Sequence, residues 1–136
     1  VKTYVEFRSD QFPATREEQD QINPGRWGRR LAEFVATALA RRGFKIGDLI
    51  AEDWGWMVPL DEPGGHIWIG CGNYEEYPDG FLCFIEVDRP WYRRLFKSID
   101  AQSRVEALRS ALDEVLIESA GIRAKRWWTR EEFERS

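Results

Sequence analysis

His66, Cys71, Cys83 and the carboxylates Glu52, Asp53, Glu75, Glu76, Asp79 and Glu86 are the side chains best suited to move protons, attack a carbonyl or hold a cation. His66 is the single histidine, and its imidazole titrates near neutrality, as a general base or metal ligand requires. It follows Gly64-Gly65 at the start of an extended segment, where histidines are ordinarily edge residues without chemistry. A nucleophilic Cys–His pair is disfavoured. Cys71 lies five residues on, hence on the other face of the strand, and Cys83 falls on the face expected to form the core. Glu86 sits between Ile85 and Val87 on the same strand face as Phe84. Burial among aromatics would raise its pKa toward general-acid duty, but a glycosidase-like pair needs a second carboxylate, from Glu52 or Asp53, which the sequence does not place opposite it.

Glu52-Asp53-Trp54-Gly55-Trp56 is the most distinctive short motif. Tryptophans two apart are expected to share a strand face. With His66, Trp68 and Glu86 they outline a candidate ligand pocket or a stacking platform for a sugar or base, although core packing is the commoner use of such pairs. The segment Gly72-Asn73-Tyr74-Glu75-Glu76-Tyr77-Pro78-Asp79-Gly80 gathers three carboxylates and two tyrosines between two predicted strands. Oxygen ligands of this kind suit a hard cation, yet the spacing fits no EF-hand, and Pro-Asp-Gly is ordinary turn chemistry. A recognition loop of Tyr74, Glu75, Glu76, Tyr77 and Asp79 is the better reading, because tyrosine offers rigid contact area with a polar tip. The sequence contains no phosphate-binding glycine loop, serine elbow or zinc-spaced ligand set, so no catalytic residue, cofactor or metal is assigned.

The segments Glu52–Trp56, Ile69–Glu76 and Phe81–Ile85 resemble parts of small uncharacterised bacterial proteins. The resemblance covers a minority of the chain and implies no activity and no site.

The elements that must position these residues follow from periodicity. Residues 2–8 alternate as a strand, with Thr3, Val5 and Phe7 on one face and Tyr4 and Glu6 on the other. Residues 9–22 form a long polar connection, of the kind that is usually mobile or functional. Asn23-Pro24 is expected to open a helix over 24–42, carrying an apolar stripe of Trp27, Leu31, Phe34, Val35, Ala38 and Leu39 and stopping at Gly43. Extended segments at 44–50, 54–60, 66–72 and 81–87 predict an antiparallel meander. A short helix is expected over 88–96. A longer one should start at Asp100, with Val105, Leu108, Leu112, Val115 and Leu116 inward, and stop at Gly121. Residues 122–128 read as a strand, and Thr129-Arg130-Glu131-Glu132 as a capping box opening a last helical turn. At 136 residues, with seven Trp and eight Phe, the chain is long enough for one core and too short for two. The expected fold is a single α+β domain over 1–136: an antiparallel meander packed against two main amphipathic helices.

The alternation sets Ile67, Ile69 and Cys71 together with Phe81, Cys83, Ile85 and Val87 on the helix-covered face. The other face carries His66, Trp68, Leu82, Phe84 and Glu86, and is too apolar to be left bare. The Trp127-Trp128 tail, a symmetric partner in a homodimer, or a ligand is expected to cover it.

Between Phe44 and Asp88 there are ten carboxylates and one base, Lys45, while the rest of the chain is net basic; the total is −4. Such acidity repels phosphate and argues against nucleic acid. Apolar runs such as Phe34–Ala40 fall far short of the roughly 20 residues that span a bilayer. The start Val1-Lys2-Thr3-Tyr4 lacks an export-signal pattern, so a cytoplasmic home with reduced thiols is expected. Intramolecular pairing and solvated faces account for most charge segregation of this kind; the sharper expectation is a negative surface that steers a basic partner. The leading expectation is a non-enzymatic protein-binding module engaging a basic protein through Glu52, Asp53 and the 72–80 loop. A toxin-neutralising, immunity-type protein would fit that description. The alternative is a small-ligand binder or hydrolase using the Trp-lined pocket around Glu86.

Overall fold

Alternation along the strands decides which residues meet the helices. The computed structural model describes residues 2–19, 26–61, 67–74, 76–88, 99–119 and 121–135. Among them are six strands, β1 (Tyr4–Arg8), β2 (Ile50–Glu52), β3 (Gly55–Pro59), β4 (Ile67–Asn73), β5 (Gly80–Val87) and β6 (Arg123–Trp128), and four helices, α1 (Arg16–Gln19), α2 (Arg29–Arg41), α3 (Ile99–Glu118) and α4 (Arg130–Arg135). The strands form one sheet in the order β2-β3-β4-β5-β1-β6, every neighbouring pair antiparallel. The fold is α+β, and β3, β4 and β5 are the expected meander strands at 54–60, 66–72 and 81–87, while β2 takes the place of the strand expected over 44–50.

The predicted inner face is the inner face. Val5 and Phe7 of β1, Val58 of β3, Ile67, Ile69 and Cys71 of β4, and Phe81, Cys83 and Ile85 of β5 are buried in one cluster with Leu31, Val35 and Leu39 of α2 and Leu108, Leu112 and Leu116 of α3. Each fully buried aliphatic side chain of this kind contributes about 1.5–3 kcal/mol relative to exposure.

Several boundaries differ from the sequence reading. Asn23-Pro24 lies outside the described residues, and α2 starts at Arg29 with Gly28 as its N-cap. Trp27 cannot join the helix because its backbone is committed elsewhere: its N–H donates to Asn73 Oδ1 at 3.1 Å and its carbonyl accepts from Asn73 N–H at 2.8 Å. At the other end Gly43 has a left-handed φ of 94°. Its N–H donates to Ala40 and that of Phe44 to Leu39, which is the Schellman arrangement expected of a terminal glycine. Residues 44–49 are not a continuous strand, and only Ile46 bridges, to Leu60. Helix α3 starts at Ile99 and ends at Glu118, ahead of Gly121. The helix expected over 88–96 falls outside the described residues apart from Asp88. The capping box closes as predicted, Thr129 N–H to Glu132 Oε1 at 2.9 Å and Glu132 N–H to Thr129 Oγ1 at 3.1 Å. Among the described residues no helix is long and apolar enough to cross a membrane.

The β2–β3 turn depends on Gly55, whose φ of 152° is one that L side chains rarely adopt and whose missing Cβ would stand 2.4 Å from the Cys71 carbonyl oxygen. The obstruction is the backbone of Cys71 and Gly72, not the end of a flexible side chain, so it cannot readily give way. Gly55→Ala is expected to destabilise the protein by about 2–4 kcal/mol, combining strain with overpacking. Urea unfolding followed by tryptophan fluorescence checks this, and a loss below 1 kcal/mol, on the order of a surface substitution, would contradict it.

Candidate functional site

In an antiparallel meander, alternate turns share an end, so the β2–β3 turn and the β4–β5 loop project from the same end of the sheet. They also touch there: a Cβ on Gly72 would meet the Trp54 carbonyl oxygen at 2.8 Å. Glu52 and Asp53 on the first turn and Glu76 and Tyr77 on the second are exposed. The loop is held firmly, with Tyr74 N–H donating to Gly80 O at 2.8 Å, Gly80 N–H to Tyr77 O at 3.1 Å, and Ser9 N–H to Asp79 O at 2.9 Å. Tyr74 is half-buried with its ring edge-on to Phe133, and burial followed by its hydrogen bond to Glu76 pushes its phenol up to about 12. Tyr77 carries the Arg8 guanidinium 4.5 Å above its ring.

Asp79 departs from its expected part. Arg8 Nε donates to it at 2.8 Å and Arg123 pairs with its other oxygen. Arg8 first, then Arg123, holds its carboxyl below the usual carboxylate range. Its charge is spent joining the loop to β1 and β6, so it adds little to an outward negative field. Glu75 lies outside the described residues.

The candidate ligand pocket does not assemble as the sequence suggests. Trp54 and Trp56 do not share a face, because the turn at Asp53–Gly55 interrupts the alternation on which that expectation rested. Trp56 pairs in register with Cys71 on the core side. Trp54 folds over the opposite side, its ring 5.9 Å from Trp68 and 5.2 Å from Phe84. His66 lies outside the described residues. Glu86 sits opposite Trp68 on the outer face, accepting from Tyr4 OH at 2.9 Å with Arg130 at 3.7 Å. Burial, then Glu86, raises the Tyr4 phenol above its ordinary value, so Tyr4 stays a neutral donor. Glu52 and Asp53 sit near Gly72, four residues up β4 from Trp68, which is about 13 Å along the strand. That exceeds the about 5–9.5 Å between the carboxyl groups of a glycosidase pair.

The outer face is covered from within. Phe133 of α4 stacks on Tyr4 at 5.0 Å, Tyr4 on Phe84 at 5.3 Å, and Trp54 continues the row. Of the tail tryptophans, Trp128 lies on this side and donates to Glu6 at 2.7 Å, while Trp127 packs against the core and donates to Asp113 at 2.7 Å. Among the described residues no group of three or more His, Cys, Asp or Glu is gathered to hold a metal ion.

One carboxylate of consequence was not singled out in the sequence. Glu18 is 2 % exposed. Its Oε1 accepts from Thr15 N–H at 2.9 Å, and its Oε2 accepts from Gly28 N–H at 2.8 Å, Arg29 N–H at 3.0 Å and Trp56 Nε1–H at 3.0 Å. Burial alone pushes its carboxyl up; the N–H groups of Thr15, Arg29, Gly28 and Trp56 outweigh that and set it below its ordinary value. A carboxylate held ionised in this way is a poor proton donor. It acts as a tether, supplying the helix cap that Gly28 has no side chain to provide. The signal was present, since Thr15-Arg16-Glu17-Glu18 is itself a capping-box pattern, and Glu18 N–H does donate back to Thr15 Oγ1 at 3.2 Å.

Because the folded-state pKa of Glu18 is depressed, its stabilisation is complete above the ordinary glutamate value of 4.5 and is lost as pH falls through the lower folded value. Glu18→Gln is expected to cost about 2–4 kcal/mol at pH 7, since buried donors then face an amide. The gap between variant and wild type should narrow near pH 3. Urea titrations at both pH values read it, and a gap that is independent of pH would show that the charge is not what matters. Comparison of the chain with protein-family models, curated proteins and solved structures gives no match, so function has to be read from the side chains just described.

Proposed function

We propose that the chain is a non-enzymatic protein-binding module that docks a basic partner against the end of the sheet bearing Glu52, Asp53, Glu76 and Tyr77. The observation that carries this reading is topological: the meander delivers its two acidic turns to one end, with these side chains exposed. Exposed carboxylates on a pinned scaffold raise the encounter rate with a cationic surface and fix its register more than they add raw affinity. Tyr77, 41 % exposed, adds a rigid ring at the rim. A compact acidic domain that masks a basic active site, as an immunity-type protein does, is one form this function takes. The opposing observations concern the enzyme reading: Trp54 and Trp56 diverge to opposite faces, and Glu86 is engaged by Tyr4 with Arg130 close by.

The test uses a fluorescent lysine-rich peptide as cationic probe. Wild type should bind it with an affinity that falls as salt rises, because exposed charges are screened within about 10 Å at 0.1 M salt. Glu52→Lys, Asp53→Lys and Glu76→Lys together should weaken binding at least about tenfold. The control triple Glu114→Lys, Glu118→Lys and Glu134→Lys makes the same change in net charge on exposed helix positions elsewhere. Equal losses from the two triples would reduce the effect to net charge and remove the proposed surface.

A further inference from the structure

Cys71 and Cys83 stand directly opposite one another on the adjacent strands β4 and β5. Both are fully buried, and their sulfurs are 3.7 Å apart, with the Cys83 thiol donating to Cys71 Sγ. Directly opposed residues of an antiparallel pair have Cα atoms about 4.5 or 5.5 Å apart, depending on whether they exchange hydrogen bonds. Either spacing lies within the span of about 4.4–6.8 Å that a disulfide bridges. Both side chains already point to the α2–α3 side, so closure needs adjustment of two side chains and no reversal of strand register.

We propose that this pair is a redox site: Cys71 and Cys83 close into a cross-strand disulfide when the sheet forms in contact with a low-molecular-weight disulfide such as oxidised glutathione. One cysteine thiolate attacks that disulfide, breaking its sulfur–sulfur bond and forming a mixed disulfide; the departing thiolate takes up a proton. The second cysteine thiolate then displaces the remaining glutathione. Two protein thiols give up two electrons and two protons, and the oxidant receives them as two thiols.

Burial decides when this happens. In the closed sheet the Cys71 thiol is held well above its ordinary pKa, by the hydrogen bond it shares with Cys83 first and by burial second, and neither sulfur is accessible. Reaction therefore belongs to folding or to transient opening of the sheet, after which the same burial protects the bond. The segment it closes, 72–82, contains the loop of Tyr74, Glu76 and Tyr77, and the staple would sit at that loop's base. The redox site does not depend on the loop docking anything.

The test refolds the full chain from urea in glutathione buffers of graded ratio and compares it with chain kept in urea in the same buffers. Acid quenching, maleimide labelling and intact mass then count the thiols. The native sheet should raise the equilibrium constant for disulfide formation, by about tenfold over the denatured chain. The oxidised product should be lighter by two hydrogens, free of glutathione, and native by circular dichroism. A peptide map should join Cys71 to Cys83, and dithiothreitol should reverse the change. Cys83→Ser and Cys83→Ala should each abolish the mass decrease while the chain still folds. An equilibrium constant equal to or smaller than that in urea, or a disulfide confined to unfolded chain, would overturn the proposal. Neither result bears on binding of the lysine-rich peptide, which is measured with thiols reduced.

Discussion

The carboxylate of Glu18, buried and surrounded by N–H groups, is the constraint on which the rest of the arrangement depends. Leaving such a charge unsolvated would cost several kcal/mol, so the chain must bring donors to it. It does so from Thr15 in its own turn, Gly28 and Arg29 at the start of α2, and the Trp56 indole of β3. One oxygen pair thereby ties the connection after β1, the head of the second helix and the sheet. Arg29 lies over the Trp56 ring at 5.5 Å on the same junction. With its head fixed there and at Asn73, α2 can lay Leu31, Val35 and Leu39 onto the inner face of the sheet.

How much of this was legible depends on whether a residue's role is local. Most of the strands, the inward stripes of α2 and α3 and the two-faced sheet follow from period-two and period-3.6 patterns, and the structure bears them out at Val35, Ile69, Cys83, Leu108 and Leu112, though not for 44–49 or Trp27. The start of α2 was not legible, because Trp27 exchanges backbone hydrogen bonds with a residue 46 positions away. Trp54 and Trp56 obey simple alternation only if no turn falls between them, and Gly55 makes one. The two capping boxes make the point most sharply. Thr15-Arg16-Glu17-Glu18 and Thr129-Arg130-Glu131-Glu132 are the same tetrapeptide, and both close the same local hydrogen bonds. The second is legible because a strand pattern runs up to it. The first lies in a polar stretch without a period, and nothing local reveals that Glu18 is also the cap of another helix.

Charge shows the same division between what sequence counts and what structure arranges. The central third of the chain is acidic, but its carboxylates do different work. Asp79 is bound by Arg8 and Arg123 and closes the join between β1, β6 and the β4–β5 loop. Glu86 serves Tyr4 on the outer face. Across the helices, Arg42 forks to Glu114 and Glu118, linking the end of α2 to α3. Asp79 and Glu86 therefore contribute less to an outward negative field than the count implies.

On the proposed reading, what matters at the end where the two turns meet is that much of its backbone is fixed in advance. Docking through a flexible loop loses about 0.5–1.5 kcal/mol for each long side chain immobilised, in addition to fixing its backbone. In the β4–β5 loop the backbone groups of Tyr74, Tyr77 and Gly80 are hydrogen-bonded to one another, and Asp79 is anchored at both its carbonyl and its carboxylate. Tyr77 is further restrained beneath Arg8. The arginines that remove Asp79 from the outward field also tie this part of the loop to β1 and β6. On the proposed reading, a partner docking at this end would meet a loop whose backbone needs little further ordering.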